Sequence, residues 1–387
     1  MAESHVGERV VSKRPKVVHL TSVHPPDDNR IRHKECATLA TAGWEVVLIA
    51  CARRSETGAD GVRLRALPPP PGRVSRMTVT AWRMYRAALD ESADLYVFHD
   101  PELMPWALML KAHGKRVVYD IHEDVPGTVA YKTYLPRPIR PAIADGLQFV
   151  QRACARWFDA LVVATPHLGA LVRDIGPPVV IVQNFPRLEE LPDAGGQLPY
   201  AERREALAYV GVVSRGRGVR EMIEAVADLE DFPGAVLHIA GRWMPGALRD
   251  QMSRHRGWPK VVNHGQIERR GVVELLSECR VGLVTIWPEQ NYLMSYPTKM
   301  FEYMAMGLPV VASDFPLWRR IVEESGAGIL VDPTRPESIR DAISWLLTHA
   351  SEAEAMGERG RMAVRSRFYW GPEGEKLVQL CSDIIQS

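Results

Sequence analysis

The amino-acid sequence predicts an α/β protein made of two doubly wound parallel sheets, one in each half of the chain. Short apolar runs rich in β-branched residues recur along both halves, which is typical of buried parallel strands. Segments long enough for crossover helices separate these runs, as parallel pairing requires. A stretch rich in proline, glycine and charge divides the two series, so two domains are expected from the 387 residues.

The first half contains six runs that predict strands. They cover residues 17–23, 46–52, 95–100, 117–122, 161–166 and 179–185. Segments 31–42 and 77–90 are long enough for the crossover helices between them. Residues 186–205 lack apolar periodicity, which is typical of a linker. We therefore assign residues 1–190 to an N-terminal Rossmann-like domain and residues 191–205 to a linker.

The second half repeats the pattern. Its predicted strands cover residues 207–211, 236–241, 261–265, 281–286, 309–314 and 328–332. Residues 206–368 are therefore expected to be a second Rossmann-like domain. Leu377, Leu380 and Ile384 follow at helical spacing, which predicts a terminal helix in 369–387 that could cross back to the first domain. Ligands bind beyond the carboxyl ends of such strands, so two facing sheets would place the site in the cleft between the domains.

Composition limits the possible function classes. Apolar residues make up 46% and charged residues 25% of the chain, as in ordinary soluble globular proteins. The 48 lysines and arginines nearly balance the 47 aspartates and glutamates, so the net charge of +1 gives no reason to expect a nucleic-acid partner. Five scattered cysteines without a Cys-x-x-Cys pair favour neither a disulfide framework nor a zinc site.

The expected location is the cytoplasm. Residues 1–16 contain charges but no apolar stretch before a cleavage site, and no run of eighteen apolar residues occurs. No basic amphipathic helix stands out in the sequence, but basic surface patches would still allow peripheral contact with the inner face of the membrane.

The loop after the first strand of the second domain predicts an anion site. A strand ends at Gly211, then Ser214, Arg215 and Arg217 follow, and a helix starts near Gly218. Free amides at a helix N-terminus and arginine forks both suit phosphate. The loop lacks the Gly-x-Gly-x-x-Gly and Walker patterns, which disfavours a dehydrogenase. A plain turn with solvated arginines is the alternative interpretation.

Residues 295–314 are the most informative stretch of the chain. Thr298 is expected to cap a helix, and Gly307 fits the left-handed position at its C-terminus. Glu302 is a lone carboxylate among apolar residues, where a ribose diol would be a suitable bidentate partner. Lys299 lies near the helix N-terminus, where phosphate is favoured. Alternatively, Glu302 and Lys299 simply occupy the solvent face of the helix.

Together these regions resemble the family 4 glycosyltransferases of the GT-B fold. The resemblance rests on the motif PxKxFEYMAxGxPVVAS at 297–313, set behind the YVG of 209–211. In the first half, residues 19–31, 98–103 and 119–124 resemble the acceptor-side loops of a bacterial subgroup that builds glycans or glycosylated natural products. The resemblance spans nearly the whole chain. It implies a retaining hexosyl- or N-acetylhexosaminyltransferase that uses a nucleotide-sugar, most readily a UDP-sugar, and a small-molecule or glycan acceptor.

The resemblance also implies roles for individual residues. Glu302 would bind the donor ribose, and Arg217 and Lys299 would meet the pyrophosphate. His122 would lie near the transferred sugar and completes the expected catalytic set. The expected donor-binding residues are Gly211, Ser214, Arg215, Arg217, Gly265, Gln266, Ile267, Pro297, Thr298, Lys299 and Glu302. No metal and no cofactor is expected, because helix amides and the two cations would stabilise the departing pyrophosphate.

Polar residues that follow three predicted strands of the first half suggest an acceptor pocket, because these carboxyl ends share one edge of the sheet. The expected acceptor-binding residues are His24, Asp28, Arg30, His99, Asp100, His122, Glu123 and Asp124. Asp28 and Arg30 could instead form an internal ion pair. Glu123 and Asp124 could merely cap a helix. His122 could be a structural histidine.

Two positions depart from the family pattern. The arginine that often follows the first strand of the second domain is absent, since Val212 follows Gly211. The family has a glutamate eight residues before Glu302, where this chain has Met294. Ser295 or Glu289 could replace its contact with the sugar hydroxyls. Two other functions stay open: a UDP-sugar epimerase or hydrolase of similar architecture, and a non-catalytic protein that binds a nucleotide or a glycan, which Met294 favours.

Overall fold

The computed structural model describes residues 14–129, 136–191 and 198–387. The chain divides into two compact units, the first formed by residues 1–182 with 374–387 and the second by residues 183–373. The predicted linker 191–205 therefore belongs to the second unit, and its residues 192–197 lie outside the described residues.

The first unit is built on a sheet of eight strands. The strands are β1 (Lys16–Thr21), β2 (Glu45–Cys51), β3 (Glu56–Thr57), β4 (Val62–Leu67), β5 (Leu95–Phe98), β6 (Arg116–Ile121), β7 (Ala160–Val163) and β8 (Val179–Ile181). Their order is β3-β4-β2-β1-β5-β6-β7-β8, and every neighbouring pair is parallel except β3–β4. The strands β3 and β4 were not predicted. In β4 the arginines Arg63 and Arg65 interrupt the apolar residues and pair with Glu91 across the unit.

Helices connect these strands. They are α1 (Ala37–Thr41), α2 (Arg73–Ser75), α3 (Ala81–Glu91), α4 (Met104–Ala112), α5 (Val125–Thr128), α6 (Arg140–Ala155) and α7 (Pro166–Val172). The predicted helix 31–42 begins as a π-helical stretch, Ile31–Cys36, before it continues as α1. A second π-helical stretch, Arg76–Thr80, leads into α3, so that the helix predicted at 77–90 belongs to a longer helical segment.

The second unit contains a sheet of six strands, all parallel. They are β9 (Ala206–Val210), β10 (Val236–Ala240), β11 (Val261–Gly265), β12 (Val281–Val284), β13 (Val310–Ser313) and β14 (Gly328–Val331), in the order β11-β10-β9-β12-β13-β14. The helices that follow are α8 (Val219–Ala227), α9 (Ala247–Met252), α10 (Arg269–Glu278), α11 (Gln290–Leu293), α12 (Thr298–Ala305), α13 (Pro316–Ser325), α14 (Pro336–Thr348), α15 (Ala350–Arg367) and α16 (Trp370–Gln386). From Gly374 onward, α16 belongs to the first unit.

The strand orders fix where a ligand could bind in each unit. The chain reverses its direction of travel across the sheet between β1 and β5 in the first unit, and between β9 and β12 in the second. At such switch points the loops beyond the carboxyl ends of the strands diverge and leave a crevice. The predicted doubly wound α/β class is confirmed in both halves. None of the helices described by the structure is both long and apolar enough to span a bilayer.

Candidate functional site

In the first unit, buried polar side chains gather where β1, β5 and β6 end. His99 and Asp100 directly follow β5, and His122 follows β6. His99 and Asp100 are almost fully buried, whereas the side chain of His122 is 12% exposed. Because burying polar groups costs free energy unless they are hydrogen-bonded, each of these side chains needs a partner.

Asp120, inside β6, is the centre of this cluster. Its Oδ1 accepts a hydrogen bond from Arg30 Nη2 at 3.0 Å, and its Oδ2 lies 3.0 Å from His99 Nδ1 and 2.5 Å from His122 Nε2. Burial alone would raise the pKa of Asp120, but the Arg30 charge and the histidine hydrogen bonds outweigh burial and hold that pKa well below its usual value. Asp120 is therefore ionised. The sequence analysis did not single it out, although a carboxylate within an apolar strand is itself a signal.

The cluster continues inward from His99. His99 Nε2 lies 3.0 Å from His19 Nδ1, and Arg30 Nε lies 2.9 Å from Glu35 Oε1. Burial and the nearby Asp120 charge raise the pKa of Glu35 well above its usual value, while burial and the His99 charge lower the pKa of His19. At the deep end of the network the charged forms of Glu35 and His19 are therefore disfavoured, while Arg30 contacts both Glu35 and Asp120.

Several predicted acceptor residues have local structural roles. Asp100 Oδ2 accepts hydrogen bonds from the Ser22 amide at 2.6 Å and the Thr21 hydroxyl at 2.9 Å, which fixes the loop after β1. His24 lies between two carboxylates, 3.5 Å from Asp28 Oδ2 and 3.6 Å from Asp100 Oδ1. Burial lowers the pKa of His24, but the hydrogen bond to Asp28 and the Asp100 charge more than offset burial and raise that pKa.

Two alternatives left open by the sequence are settled by these contacts. Asp28 does not pair with the guanidinium of Arg30; its Oδ1 instead accepts from the backbone amides of Arg30 and Ile31, both at 2.9 Å. Asp124 caps α5, because its Oδ1 accepts from the Gly127 amide at 2.9 Å. Glu123 beside it is exposed.

Among the described residues, two groups of side chains in this cluster could supply metal ligands. The group nearer the surface is poorly suited to a cation. His99, Asp120 and His122 bring their ligand atoms close together. The Arg30 guanidinium donates to Asp120 at 3.0 Å, however, and places a positive charge beside any ion held there. That the protein needs no metal stays a prediction.

In the second unit, glycine brings backbone close to charged side chains beyond β9. Gly211 has φ +127°, and a Cβ at this position would lie 3.1 Å from Lys299 Nζ. Gly218 has φ +71° and directly precedes α8 as its N-cap, and a Cβ there would lie 2.1 Å from the Thr285 carbonyl oxygen. Both positions therefore require glycine. The strand β9 ends at Val210 and α8 begins at Val219, each within one residue of the predicted boundary.

Lys299 faces this loop and Arg217 lies within it, and neither basic side chain forms an ion pair with a carboxylate in the described part of the chain. Lys299, on α12, is partly buried and its Nζ lies 3.9 Å from the centre of the Tyr209 ring. Burial, and then the charge of Arg217, lower the pKa of Lys299 well below its usual value. Arg217 stacks over the Tyr292 ring at 4.5 Å. Neighbouring cations of this kind are costly in the free protein and favourable once an anion binds.

Glu302, also on α12, is buried, with 8% of its surface exposed. Its Oε1 accepts a hydrogen bond from Arg269 Nη1 at 2.7 Å. The alternative that Glu302 occupies a solvent face is therefore wrong. Arg269 was not predicted, because 33 positions separate the two residues and no pattern in the sequence connects them.

The remaining donor-side predictions divide between loops and turns. Gly265 ends β11 with φ +66°, Gln266 is exposed and Ile267 is partly buried. Arg215 is exposed and bonds Gln251, and Ser214 precedes a short 3-10 turn. The prediction that Thr298 caps α12 is wrong, because Thr298 is the first helical residue, while Pro297, which cannot cap, precedes it. Gly307 has φ +66°, so its predicted left-handed conformation is confirmed.

The structure also describes Met294, where the family has a glutamate, and the two residues that could replace that glutamate. Met294 is 44% exposed. Ser295 donates its hydroxyl to the Tyr292 carbonyl at 3.1 Å, within its own turn. Glu289 is exposed and lies beside Gly216, where a Cβ would come within 2.6 Å of its Oε1. Of the two proposed replacements, Glu289 is thus the one that reaches the loop carrying Arg217.

Comparison with protein families matches both units. Residues 30–184 match the "Glycosyl transferase 4-like domain" and residues 196–363 match "Glycosyl transferases group 1". The chain belongs to the GT-B glycosyltransferases of family 4-like type. The predicted resemblance, and with it the class of enzyme, is confirmed at the level of the family.

Named relatives support the same family. The chain is 27% identical over 184 residues to the D-inositol 3-phosphate glycosyltransferase of Corynebacterium urealyticum, a match that covers 46% of this chain and 42% of that protein. It is 24% identical over 339 residues to the phosphatidyl-myo-inositol mannosyltransferase of Mycobacterium leprae, covering 84% of this chain and 83% of the relative.

Solved structures show the GT-B fold. Sucrose-phosphate synthase from Thermosynechococcus elongatus superimposes with a TM-score of 0.76 at 19% identity, over 96% of this chain and all of that one. Anabaena HepE, solved with UDP-glucose, gives a TM-score of 0.71 at 14% identity, over 95% of this chain and 99% of the other. The predicted fold of this glycosyltransferase is thus confirmed.

Proposed function

We propose that this glycosyltransferase moves a hexosyl or N-acetylhexosaminyl unit from a nucleotide-sugar, most favourably a UDP-sugar, to a hydroxyl acceptor with retention of configuration. The observation that carries the proposal is the pair of cations, Lys299 and Arg217, beside the buried Glu302 at the switch point of the second sheet. Anabaena HepE, solved with UDP-glucose, supports a UDP-sugar as the donor class.

Each of these side chains has a distinct task in the proposed reaction. Lys299 and Arg217 would meet the two phosphates and neutralise the charge that develops as the sugar–oxygen bond breaks. Glu302 would accept hydrogen bonds from the ribose hydroxyls. Because the two cations supply positive charge at the leaving group, we propose that transfer does not depend on a divalent metal. Glu289 would bind the sugar hydroxyls in place of the family's glutamate, whose position is Met294 in this chain.

On the acceptor side, His122 is the proposed contact. Its Nε2 is engaged by Asp120, and its Nδ1 has no partner in the described ranges, so Nδ1 remains to accept a hydrogen bond from an acceptor hydroxyl. Two relatives carry names with inositol acceptors, which supports a polyhydroxylated acceptor or a glycan.

Calorimetric titration with UDP, GDP and ADP, with and without Mg²⁺, tests the donor site. We expect one nucleotide to bind without the metal, and Glu302→Ala to weaken it. Glu274→Ala, which changes an exposed glutamate of α10 in an ion pair with Arg270, is the matched control and should leave binding intact. No nucleotide binding by the folded protein would contradict the proposal.

Incubation with labelled nucleotide-sugars then separates three outcomes. Turnover that requires an added acceptor, with the product in the donor's anomeric configuration, supports retaining transfer. Turnover of the donor alone would indicate the epimerase or hydrolase. Tight nucleotide binding with no turnover of any donor would indicate the non-catalytic alternative.

We also propose a cytoplasmic location with peripheral membrane contact. The five cysteines are free thiols in the structure, which fits a reducing compartment. The surface around α2 and the start of α3 combines exposed apolar side chains with arginines, namely Val74, Met77, Val79 and Trp82 with Arg73, Arg83 and Arg86. Such a surface suits an anionic bilayer. Co-sedimentation with vesicles containing phosphatidylglycerol tests this, and a protein that stays in the supernatant would contradict it.

A further inference from the structure

Arg269 holds the carboxylate of Glu302 from one side only. Arg269 is the first residue of α10 and its Nη1 donates to Glu302 Oε1 at 2.7 Å. Glu302 Oε2 has no hydrogen-bond partner among the residues that the structure describes. An ionised carboxylate has two acceptor oxygens with about four lone-pair positions, so half of this one stays available.

The opposite side of the Arg269 guanidinium is also anchored. Its Nε lies 3.4 Å from Glu190 Oε2, in the short turn Leu188–Glu190. This Nε is buried and makes no hydrogen bond within the described ranges, so its contact with Glu190 is an ion pair. A planar guanidinium held between two carboxylates has little freedom to rotate, and Glu302 bonded to it is fixed in the same way.

A fixed carboxylate is what a vicinal diol needs. The two hydroxyls of a ribose are uncharged donors, and they gain most from an ionised acceptor whose free oxygen is already oriented. A glutamate that had to be ordered by the ligand would lose side-chain entropy on binding.

We infer that Arg269 is a positioning residue that presents Glu302 Oε2 to the ribose diol of the nucleotide. The inference rests on the proposed donor site. It differs from the alternative in which Arg269 merely blocks Glu302 and must leave before a nucleotide can bind. The two possibilities predict opposite effects of removing Arg269.

The test compares a nucleoside diphosphate with its 2′,3′-dideoxy analogue by calorimetry. The nucleotide used is whichever of UDP, GDP and ADP binds the wild-type protein most tightly. We expect the wild-type protein to prefer the ribose form by about tenfold or more, the usual effect of hydrogen bonds to a charged group. In Arg269→Ala that preference should fall to about twofold, while affinity for the dideoxy form changes little.

Arg270→Ala is the matched control, because Arg270 is the next residue of α10 and its side chain is 90% exposed and bonds Glu274. It should keep the wild-type preference. Arg269→Gln and Arg269→Lys serve as further variants if the alanine protein does not fold, and the lysine should restore part of the preference.

The possible outcomes separate the inference from the proposed function. Undiminished preference for ribose in folded Arg269 variants, or tighter binding of the ribose form, would overturn the positioning role while the donor site stands. A wild-type protein that binds no nucleoside diphosphate would overturn the donor site and this inference together.

Discussion

Replacing Lys299 by methionine should weaken nucleotide binding without lowering the stability of the protein. The amine has no carboxylate partner in the described ranges, sits above the Tyr209 ring, and has a pKa well below its usual value because burial and then Arg217 disfavour its charged form. In the free protein, burial and the Arg217 charge therefore disfavour the charged amine more than Glu302 and the Tyr209 ring favour it. With a pyrophosphate bound, the charged form becomes the stable one, so we expect nucleotide binding to take up a proton.

The expected magnitude follows from the charge that Lys299 would carry next to a phosphate. The upper bound on the contribution of Lys299 to binding is the Coulomb attraction between its ammonium and one phosphate charge, about 4 kcal/mol for a separation of about 4 Å and an effective dielectric constant near 20. A hydrogen bond to a charged group contributes about 1.5–3 kcal/mol net, which is roughly a 10- to 150-fold change in affinity. The substitution should weaken binding but should not lower the free energy of unfolding. Because the unfolded chain holds this proton more tightly, Lys299 costs stability below its usual pKa, and Lys299→Met should unfold at the same or a higher temperature.

Calorimetry in two buffers of different ionisation enthalpy is the assay. The binding enthalpy of the wild-type protein should depend on the buffer and its affinity should fall as pH rises, whereas Lys299→Met should lose the buffer dependence. Lys260→Met is the control, since Lys260 lies at the amino end of β11, whereas the candidate site lies at the carboxyl ends of the strands, and its Nζ donates to the Leu229 carbonyl at 3.2 Å. A variant that binds within twofold of the wild type, or wild-type binding without proton uptake, would refute the reasoning.

Three further predictions concern stability and are checked by thermal unfolding. Asp120→Ala takes a carboxylate partner from Arg30 and should lower the free energy of unfolding by about 3–5 kcal/mol. Because the pKa of Asp120 is depressed in the folded protein, its stabilising contribution is present above the unfolded pKa of about 3.9 and is lost as the pH falls through the folded pKa. A variant as stable as the wild type at neutral pH would contradict this. Gly218→Ala should destabilise the second unit by at least about 1–2 kcal/mol, because the residue is left-handed and a Cβ would meet the Thr285 carbonyl; an unchanged melting temperature would be the contrary result. Asp124→Ala removes the cap of α5 and should cost about 0.5–2 kcal/mol while nucleotide affinity stays unchanged; a loss of affinity would show that Asp124 does more than cap.

The fold was largely predictable because its central strands are fully buried. Parallel strands covered on both faces become continuous apolar runs, and these runs are visible in a single sequence. The pair β3 and β4 escaped prediction because the arginines of β4 find their carboxylate partner on α3, a contact that depends on tertiary structure. Helix ends were less predictable: Thr298 is a good capping residue by type, yet the chain enters α12 one position earlier than that role requires.

The candidate site was predictable in its loops and not in its pairings. The carboxyl ends of strands identify where polar side chains converge, and His99 and His122 were found in this way, whereas Lys299 was found by its place near a helix N-terminus. The hydrogen-bond and ion-pair partners of the site residues could not be predicted. Arg30 reaches Asp120 across 90 positions of sequence and Arg269 reaches Glu302 across 33, and no local pattern encodes either pair. Periodicity reports burial of one face, whereas ion pairs depend on the fold as a whole.

The divided first unit has a consequence for synthesis of the protein. Its residues 374–387 leave the ribosome only after the entire second unit, which at about 5–20 residues per second takes roughly 10–40 s. Until then Arg116 lacks the Ile385 carbonyl that it bonds at 2.7 Å, and the surface that covers Leu377 and Cys381 in the finished protein is open to solvent. The nascent first unit therefore stays incomplete until its last helix has been synthesised.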